Sequence, residues 1–346
     1  MVNAIVKEIT MQKDYIGSEE VNTVYFGGGT PSLLEKEELS NILHTISSNY
    51  NLIPGAEITL EANPDDLTKE KLNDLRSIGV NRLSIGIQSF QNDILEFFNR
   101  AHNAEDSLKS IEAARSAGFN NISIDLIYGV PGQHHDAWIS GIETALSFRP
   151  EHISAYSLTI EDKTVFGKWK ASNRLTPMNE ELVAEQFELL VDKLTQNGYD
   201  HYEISNFGLP GSHSRHNSNY WKRVKYLGIG PSAHSYDGAS RQFNVSNNAI
   251  YIRKIESGEI PFEREVLTTG DKINEYFFIG IRTSDGCDME YLSDEYDFQL
   301  SDEQRRYMDQ LIRLGKATFD SGVLKLTNRG KLLADKIASD LFVNSE

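Results

Sequence analysis

The sequence predicts an α/β fold: a partial (β/α) barrel of parallel strands, followed by an α+β accessory domain. An apolar strand over residues 21–26 runs into the loop GGGTPS and then into a helical pattern. The segment SIGVNRLSI at residues 77–85 is echoed by SAGFNNISI at residues 116–124, and PEHISA at residues 150–155 is a weaker third copy. Repeated helix-to-strand units of this kind predict a parallel sheet with helices on its outer face.

The elements follow in order along the first half of the chain. Residues 1–15 have a helical pattern, and the strand over residues 21–26 comes next. After Pro31, a helix is indicated by apolar residues at spacings of three and four, namely Leu39, Ile42, Leu43 and Ile46. Further strands are predicted over residues 57–60 and 152–158 and at the end of each repeat. Gly79 and Gly118 stand where glycines terminate helices, which favours parallel strands after them.

The α/β alternation stops near Phe166, so we divide the chain into a barrel domain, residues 1–165, and a C-terminal domain, residues 166–346. Within the second domain we predict a helix over residues 301–314, a strand over residues 322–326, and a helix capped by Thr327 that runs to residue 341. This order is typical of a winged helix. Arg329, Lys331 and Lys336 on the last helix could indicate DNA binding, but packing against the barrel is the better interpretation.

Composition and charge limit the classes of function and partner that the chain can have. The 346 residues carry a formal net charge of −17, which disfavours nucleic acid as a partner. The sequence lacks an apolar run of membrane-spanning length, and its opening is helical rather than typical of a cleavable signal, so we expect a cytoplasmic protein. Cys287 is the only cysteine, which excludes a disulfide within the chain and a cysteine-held zinc or iron–sulfur site from this sequence.

Polar residues collect at the predicted carboxyl ends of the strands, where (β/α) barrels bind ligands. Glycine permits positive φ and close approach of the backbone to a ligand, although a simple glycine turn would also explain the loop. Backbone N–H groups, a hydroxyl, two carboxylates and an amide could together hold an amine, a carboxylate and a ribose diol. The residues at this predicted rim are Gly29, Thr30, Glu61, Gln88, Asp125 and Thr159.

Eight ordered motifs then match a known family. They are YFGGGTPSLL, LEANPDDLT, RLSIGIQSF, NRAHNAEDS, ISIDLIYGVPGQ, YEISNFG, HNSNYW and YLGIGPSAHS. Read in order, they closely resemble radical S-adenosylmethionine (radical SAM) proteins of the oxygen-independent coproporphyrinogen III oxidase-like group, and the HNxxYW pattern resembles its haem chaperone (HemW) branch. The resemblance implies S-adenosylmethionine as a cofactor, with contacts at Gly28, Gly29, Thr30, Glu61, Gln88, Arg100 and Asp125.

The chain departs from the family in one respect. Family members begin with a strand and a CxxxCxxC loop whose thiolates hold a 4Fe-4S cluster, and this sequence contains neither. We therefore expect a barrel missing its first βα unit, with an open edge at the first strand. This cluster cannot form on the chain as given, and we expect no radical chemistry from it. Whether the chain acts as an enzyme is left open, and no catalytic residue is assigned.

The segment HSRHNSNYW holds the candidate haem residues His216, Asn217, Tyr220 and Trp221. Histidine can ligate haem iron while aromatic rings cover the macrocycle. A loop of hydrogen-bonded histidines packed at the barrel is an equal alternative, and a zinc site that includes His213 is a weaker one, so we assign no metal ligands. His234 lies in a neighbouring motif, and Cys287 is more typical of a buried thiol than of an axial ligand.

Three functions compete at this point. The first is a haem-binding chaperone that passes haem to acceptor proteins, which predicts stoichiometric haem binding. The second is an oxygen-independent coproporphyrinogen III oxidase, which acts by radical decarboxylation in porphyrin biosynthesis. The third is a cluster-free nucleotide-binding or scaffold protein. The partners expected from the first two are haem or porphyrin, together with haem-acceptor proteins for the chaperone.

Overall fold

A computed structural model describes residues 1–344 of the chain. Its largest feature is a curled seven-stranded sheet with the strand order β1-β2-β3-β4-β5-β7-β6. The first five strands are parallel, and β7 runs antiparallel to both β5 and β6. The strands are β1 Glu20–Phe26, β2 Asn51–Ala62, β3 Arg82–Gln88, β4 Ile122–Tyr128, β5 His152–Ser157, β6 Asp200–Glu203 and β7 Asn206–Gly208. The predicted partial barrel is confirmed.

Eight helices accompany this sheet along the chain. They are α1 Val2–Met11, α2 Lys36–Asn49, α3 Lys69–Ser77, α4 Asn92–Phe97, α5 Ala104–Ser116, α6 His135–Ser147, α7 Val165–Ala171 and α8 Glu180–Gln196. Thr68 caps α3 by accepting the Lys71 N–H, and Gly79 (φ 100°) and Gly118 (φ 88°) follow α3 and α5 in the left-handed region, as the repeats predict. Short 3-10 helices at Pro31–Leu33 and Pro64–Asp66 follow β1 and β2.

The main hydrophobic core lies between the sheet and the helices α2, α3, α5, α6 and α8. Along β3, Leu83, Ile85 and Ile87 point outward into this core and are completely buried. Side chains alternate across a strand, so the intervening positions point into the lumen of the half-barrel. Those positions carry polar residues, and the concave face of the sheet is therefore a polar surface rather than a second core.

A second layer of structure follows the sheet. It comprises α9 Arg215–Trp221, β8 His234–Tyr236, β9 Ser240–Asn244, α10 Asn248–Glu256 and β10 Phe262–Val266, with the three strands forming an antiparallel sheet. The first helix is joined to this layer by Glu8, whose buried carboxylate accepts hydrogen bonds from Gly230 N–H, Asn244 and Tyr251. The expected open edge of the barrel is β1, and α9 packs against it.

The C-terminal region has its own core and the element order of a winged helix. Its elements are α11 Thr269–Gly280, β11 Cys287–Asp288, α12 Met289–Tyr296, α13 Asp302–Arg313, β12 Ala317–Asp320, β13 Val323–Leu326, α14 Asn328–Lys331 and α15 Ala334–Leu341. The prediction of one helix from Thr327 to residue 341 is wrong, because the backbone leaves the helical path at Leu333 (φ −119°, ψ 18°).

The predicted boundary near Phe166 stays a prediction. Beyond that residue, α8 packs on α6, and β6 and β7 extend the barrel sheet itself. The elements after Phe166 therefore include some that share the barrel core. Within residues 1–344, every helix is too short or too polar to cross a bilayer.

Candidate functional site

The lumen of the half-barrel contains a polar cavity of about 230 Å³. Its walls come from alternate positions on the five parallel strands and from the segment that begins α9. The lining residues are Tyr25, Thr59, Glu61, Arg82, Ser84, Ser123, Asp125, His152, Ser154, Tyr156, Ser214 and Asn217. The hydroxyl of Thr59 is buried and has no hydrogen-bond partner among the described residues, which is typical of a surface that takes a polar ligand.

The glycine loop is held to the rim of this cavity by Glu61. One carboxylate oxygen of Glu61 accepts the Gly28 N–H at 3.1 Å, and the other accepts the hydroxyl of Tyr25 at 2.7 Å. Gly28 (φ 75°) and Gly29 (φ 66°) are both in the left-handed region, where glycine is favoured. Thr30 precedes the 3-10 helix and is half-buried. The loop therefore presents exposed backbone beside a fixed carboxylate.

Gln88 and Arg100 form a second part of the rim. Arg100 donates to the side-chain oxygen of Asn63 at 2.7 Å and to the carbonyl of Gly86 at 3.3 Å. A Cβ added at Gly86 would lie 2.9 Å from the amide nitrogen of Gln88 and 3.5 Å from an Arg100 nitrogen, so both side chains pass over this glycine. Arg100, which the residues alone could equally explain as a solvated helix-start residue, is therefore directed towards the rim.

The position of Asp125 corrects the sequence analysis. It does not end the fourth strand, because β4 continues to Tyr128, and Asp125 lies inside the strand with its side chain in the lumen. The Ser84 hydroxyl lies 3.4 Å from each carboxylate oxygen. Removal from water raises the pKa of Asp125 to about 6, and the nearby negative charge of Glu61 adds to this. Thr159 lies just beyond β5, as predicted.

The helix α9 closes the side of the lumen next to β1. Its first two N–H groups, from Arg215 and His216, point at the carboxylate of Glu57 on β2, at 3.3 and 3.1 Å. Ser214 caps the helix by accepting the Asn217 N–H. Asn217 faces the lumen cavity, so this one helix touches the barrel interior and also carries the candidate haem residues.

His216 on this helix lies between Tyr25 of β1 and Tyr220 of α9. Its Nδ1 is 3.1 Å from the Thr23 hydroxyl, and its Nε2 is 3.0 Å from the Tyr220 hydroxyl. The ring stacks on Tyr25, with 4.6 Å between centroids and an interplanar angle of 18°. Burial lowers the pKa of His216 to about 4, so the imidazole is neutral at physiological pH.

The remaining candidate haem residues differ in exposure. Tyr220 is 38% exposed and its ring packs edge-on against Tyr226. The indole nitrogen of Trp221 is buried without a partner among the described residues.

Two other histidines from the predicted motifs, His213 and His234, and the cysteine lie outside this site. His213 stacks on Tyr202 and pairs with Asp200 at 3.0 Å, and His234 lies against Phe243. Cys287 is completely buried in the C-terminal core, where burial raises its pKa to about 12. Over the described part of the chain, no three His, Cys, Asp or Glu side chains are arranged to hold a metal ion.

Sequence reasoning missed several lumen residues that a simple signal could have found. Polar side chains recur at every second position on four strands, for example Glu57, Thr59 and Glu61 on β2, and His152, Ser154 and Tyr156 on β5. Such alternation indicates that one face of each strand is polar. Tyr25, Arg82 and Ser84 line the cavity from within their strands, so a prediction based on strand ends does not find them.

Residues 3–143 match the Radical SAM superfamily. The chain is 37% identical over 340 residues to the "Heme chaperone HemW" of Bacillus subtilis (strain 168), covering 97% of this chain and 89% of the relative. The chain belongs to the HemW family. The HemW of Escherichia coli (strain K12) is 30% identical over 344 residues, covering 97% of this chain and 88% of the relative.

The fold of this HemW family member is also seen in a solved structure. Coproporphyrinogen III oxidase (HemN) from Escherichia coli superposes with a TM-score of 0.83, at 23% identity, over 99% of this chain and 82% of that chain. This likeness shows the fold, including the C-terminal region. The predicted relationship to the haem chaperone branch is therefore confirmed, and so is the radical SAM type of the barrel.

Membership of the radical SAM superfamily implies two cofactors, which fit this chain differently. The residues present do not fit a 4Fe-4S cluster, because the sequence contains the single cysteine Cys287 and its thiol is buried in the C-terminal core. The rim and the lumen cavity together do fit S-adenosylmethionine. Two carboxylates, exposed glycine backbone and the Thr59 hydroxyl, which has no partner among the described residues, suit an amine, a carboxylate and a diol.

Proposed function

We propose that this protein is a haem chaperone that binds haem at α9 and passes it to acceptor proteins. Membership of a family whose relatives are named heme chaperones supports the role. The observation that carries the site is the neutral imidazole of His216 behind an exposed tyrosine. Unprotonated imidazole is the form that binds iron, and the adjoining rings of Tyr25 and Tyr220 are suited to an aromatic macrocycle. A cytoplasmic location and the lack of a nucleic-acid partner stay predictions.

In the proposed complex, Nε2 of His216 is the nitrogen that reaches iron. That atom now faces the Tyr220 hydroxyl at 3.0 Å, and Tyr220 is more exposed than the histidine. Rotation of Tyr220 towards solvent frees Nε2 without disturbing the contact between Nδ1 and Thr23. A hydrogen bond at the second ring nitrogen fixes the orientation of a metal-binding histidine, and Thr23 supplies it here.

A haem titration followed by visible absorbance tests this proposal. We expect saturation near one haem per chain, and we expect His216→Ala to weaken binding at least about tenfold. The matched control is His213→Ala, which removes a histidine three residues earlier that pairs with Asp200. Equal binding by wild type and His216→Ala would place the site elsewhere, and the absence of saturable binding by wild type would refute the chaperone role.

We also propose that the rim binds S-adenosylmethionine. The residues assigned to it are Gly28, Gly29, Thr30, Glu61, Gln88, Arg100 and Asp125. Within the family, cluster iron ligates the methionine end of this cofactor, and the residues of this chain do not supply that cluster. The rim residues would therefore hold the cofactor through hydrogen bonds and charge alone, which predicts weak binding.

Isothermal titration calorimetry, which measures the affinity of the chain for S-adenosylmethionine, tests this second proposal. We expect weak binding that Glu61→Gln weakens further, because that substitution removes the negative charge opposite the cofactor amine. The exposed Glu20 on β1 offers a matched control, and Glu20→Gln should bind as wild type does. Tight stoichiometric binding would contradict the expected weakness, and an unchanged affinity in Glu61→Gln would contradict the assignment of Glu61.

A further inference from the structure

One side chain touches both candidate ligand sites. Tyr25 on β1 donates its hydroxyl to Glu61 at 2.7 Å, and its ring stacks on His216 at 4.6 Å. Glu61 belongs to the candidate cofactor rim, and His216 is the candidate haem ligand. A path of two direct contacts therefore joins two sites on elements that are far apart in the sequence.

The cofactor end of this path is closely packed. A Cβ added at Gly27 would lie 2.6 Å from the Tyr25 ring and 2.9 Å from a Glu61 oxygen, so the glycine loop rests directly on both side chains. Glu61 also binds the loop through Gly28 N–H at 3.1 Å. A cation that approaches Glu61 competes with the Tyr25 hydroxyl for the carboxylate, because both seek the same oxygen lone pairs.

The haem end is held by two residues of the same strand. Thr23 and Tyr25 are two positions apart on β1 and therefore face the same side. Thr23 bonds the edge of the His216 ring at Nδ1, and Tyr25 covers its face. Rotation of the tyrosine ring removes one of the two contacts through which β1 orients the imidazole. Burial and the charge of Glu61 raise the pKa of Tyr25, so its hydroxyl stays a proton donor at physiological pH.

We propose that Tyr25 is a positioning residue that links the two sites, so that the affinity of His216 for haem depends on the charge and occupancy of Glu61. This inference rests on the proposed haem site. The hydrogen bond from Tyr25 to Glu61 holds the tyrosine ring against His216, and the ring holds the imidazole ready for iron. Loss of charge at Glu61, or a ligand cation bound there, loosens the ring and weakens haem binding.

A double-mutant cycle tests the link on the chain as it exists. Haem dissociation constants are measured for wild type, Glu61→Gln, Tyr25→Phe and the double variant. Tyr25→Phe keeps the ring but loses the bond to Glu61. We expect Glu61→Gln to weaken haem binding about fivefold when Tyr25 is present and to have little further effect in Tyr25→Phe. Additive effects, or an unchanged affinity in Glu61→Gln, would overturn the proposal.

A matched control variant and a second measurement distinguish a failure of this proposal from a failure of the proposed haem site. Tyr156 lines the same cavity from β5, and the effect of Glu61→Gln should persist in Tyr156→Phe. The ring ¹⁵N signals of His216 in the haem-free protein give the second readout. Glu61→Gln should shift them in the wild-type background and not in Tyr25→Phe. If wild type fails to bind haem, the chaperone role falls, and these signals still decide whether Tyr25 joins Glu61 to His216.

Discussion

The protonation state of His216 sets the pH range in which it can bind iron. An ordinary histidine has a pKa near 6.5 and begins to lose its free imidazole below that pH. Burial lowers the pKa of His216 to about 4, because the protonated ring would be poorly solvated between Tyr25 and Tyr220. We expect haem affinity to be constant from pH 8 to about 5 and to fall below that, as measured by absorbance titrations across this range.

The control for this pH profile is a variant that lacks the Tyr220 ring. Tyr220→Ala exposes the imidazole, so its affinity should begin to fall at a higher pH than that of wild type. A wild-type profile that already declines near pH 6.5 would mean that an ordinary, solvent-exposed histidine controls binding.

Individual site residues differed in how far the sequence could predict them. Gln88 ends β3 and Glu61 stands one residue before the end of β2, so their place at the rim follows from local pattern. The contact between Tyr25 and His216 does not, because it joins β1 to a helix in the second half of the chain. Local periodicity contains no information on which distant surfaces meet. Those contacts are decided by the packing of the whole chain.

At the level of elements, α9 depends on Glu57. The carboxylate accepts the first two helix N–H groups and is itself 5% exposed, so it holds the helix against β2. Glu57→Gln places an amide NH₂ where one of these donors now points. We expect a loss of about 1–3 kcal/mol in the free energy of unfolding, together with weaker haem binding. Thermal unfolding and haem titration measure the two effects.

Glu20→Gln is the control for this element, since Glu20 is an exposed glutamate on the adjacent strand. It should leave both quantities unchanged. Weakened haem binding in Glu57→Gln at unchanged stability would still support a docked helix as the binding element. An unchanged haem affinity would show that anchoring of α9 at β2 is unimportant for the site.

At the scale of the whole molecule, the sequence predicted the five parallel strands of the sheet but not the two antiparallel strands that continue it. The helix-to-strand repeats predict β3 to β5, and separate strand patterns predict β1 and β2, because each of these five strands contains its own local signal. The short strands β6 and β7 pair antiparallel after a long excursion through α7 and α8. Their hairpin lacks the repeat, and only their pairing with β5 places them in the barrel sheet.

The contact between the barrel sheet and the winged-helix region includes a buried lysine. Lys331 on α14 is 8% exposed, and its ammonium lies 3.1 Å from Nδ1 of His201 on β6. Burial lowers the pKa of Lys331 to about 8, although the nearby Glu203 opposes the shift. Burial also lowers the pKa of His201 to about 3, so that histidine remains a neutral acceptor.

This lysine should make the free energy of unfolding rise with pH between about 8 and 10.5. In that range the unfolded chain still holds the proton that the folded chain has lost, so deprotonation favours folding. The shift in the Lys331 pKa corresponds to a gain of at most ~3 kcal/mol in the free energy of unfolding across the range.

Lys331→Met should remove this rise, as measured by urea unfolding at several pH values and taken as the difference from wild type. The exposed Lys336 on α15 provides the comparison, and Lys336→Met should keep the wild-type slope. A slope that Lys331→Met leaves unchanged would mean that the ammonium is solvated, and that the two regions separate or open at their contact in solution.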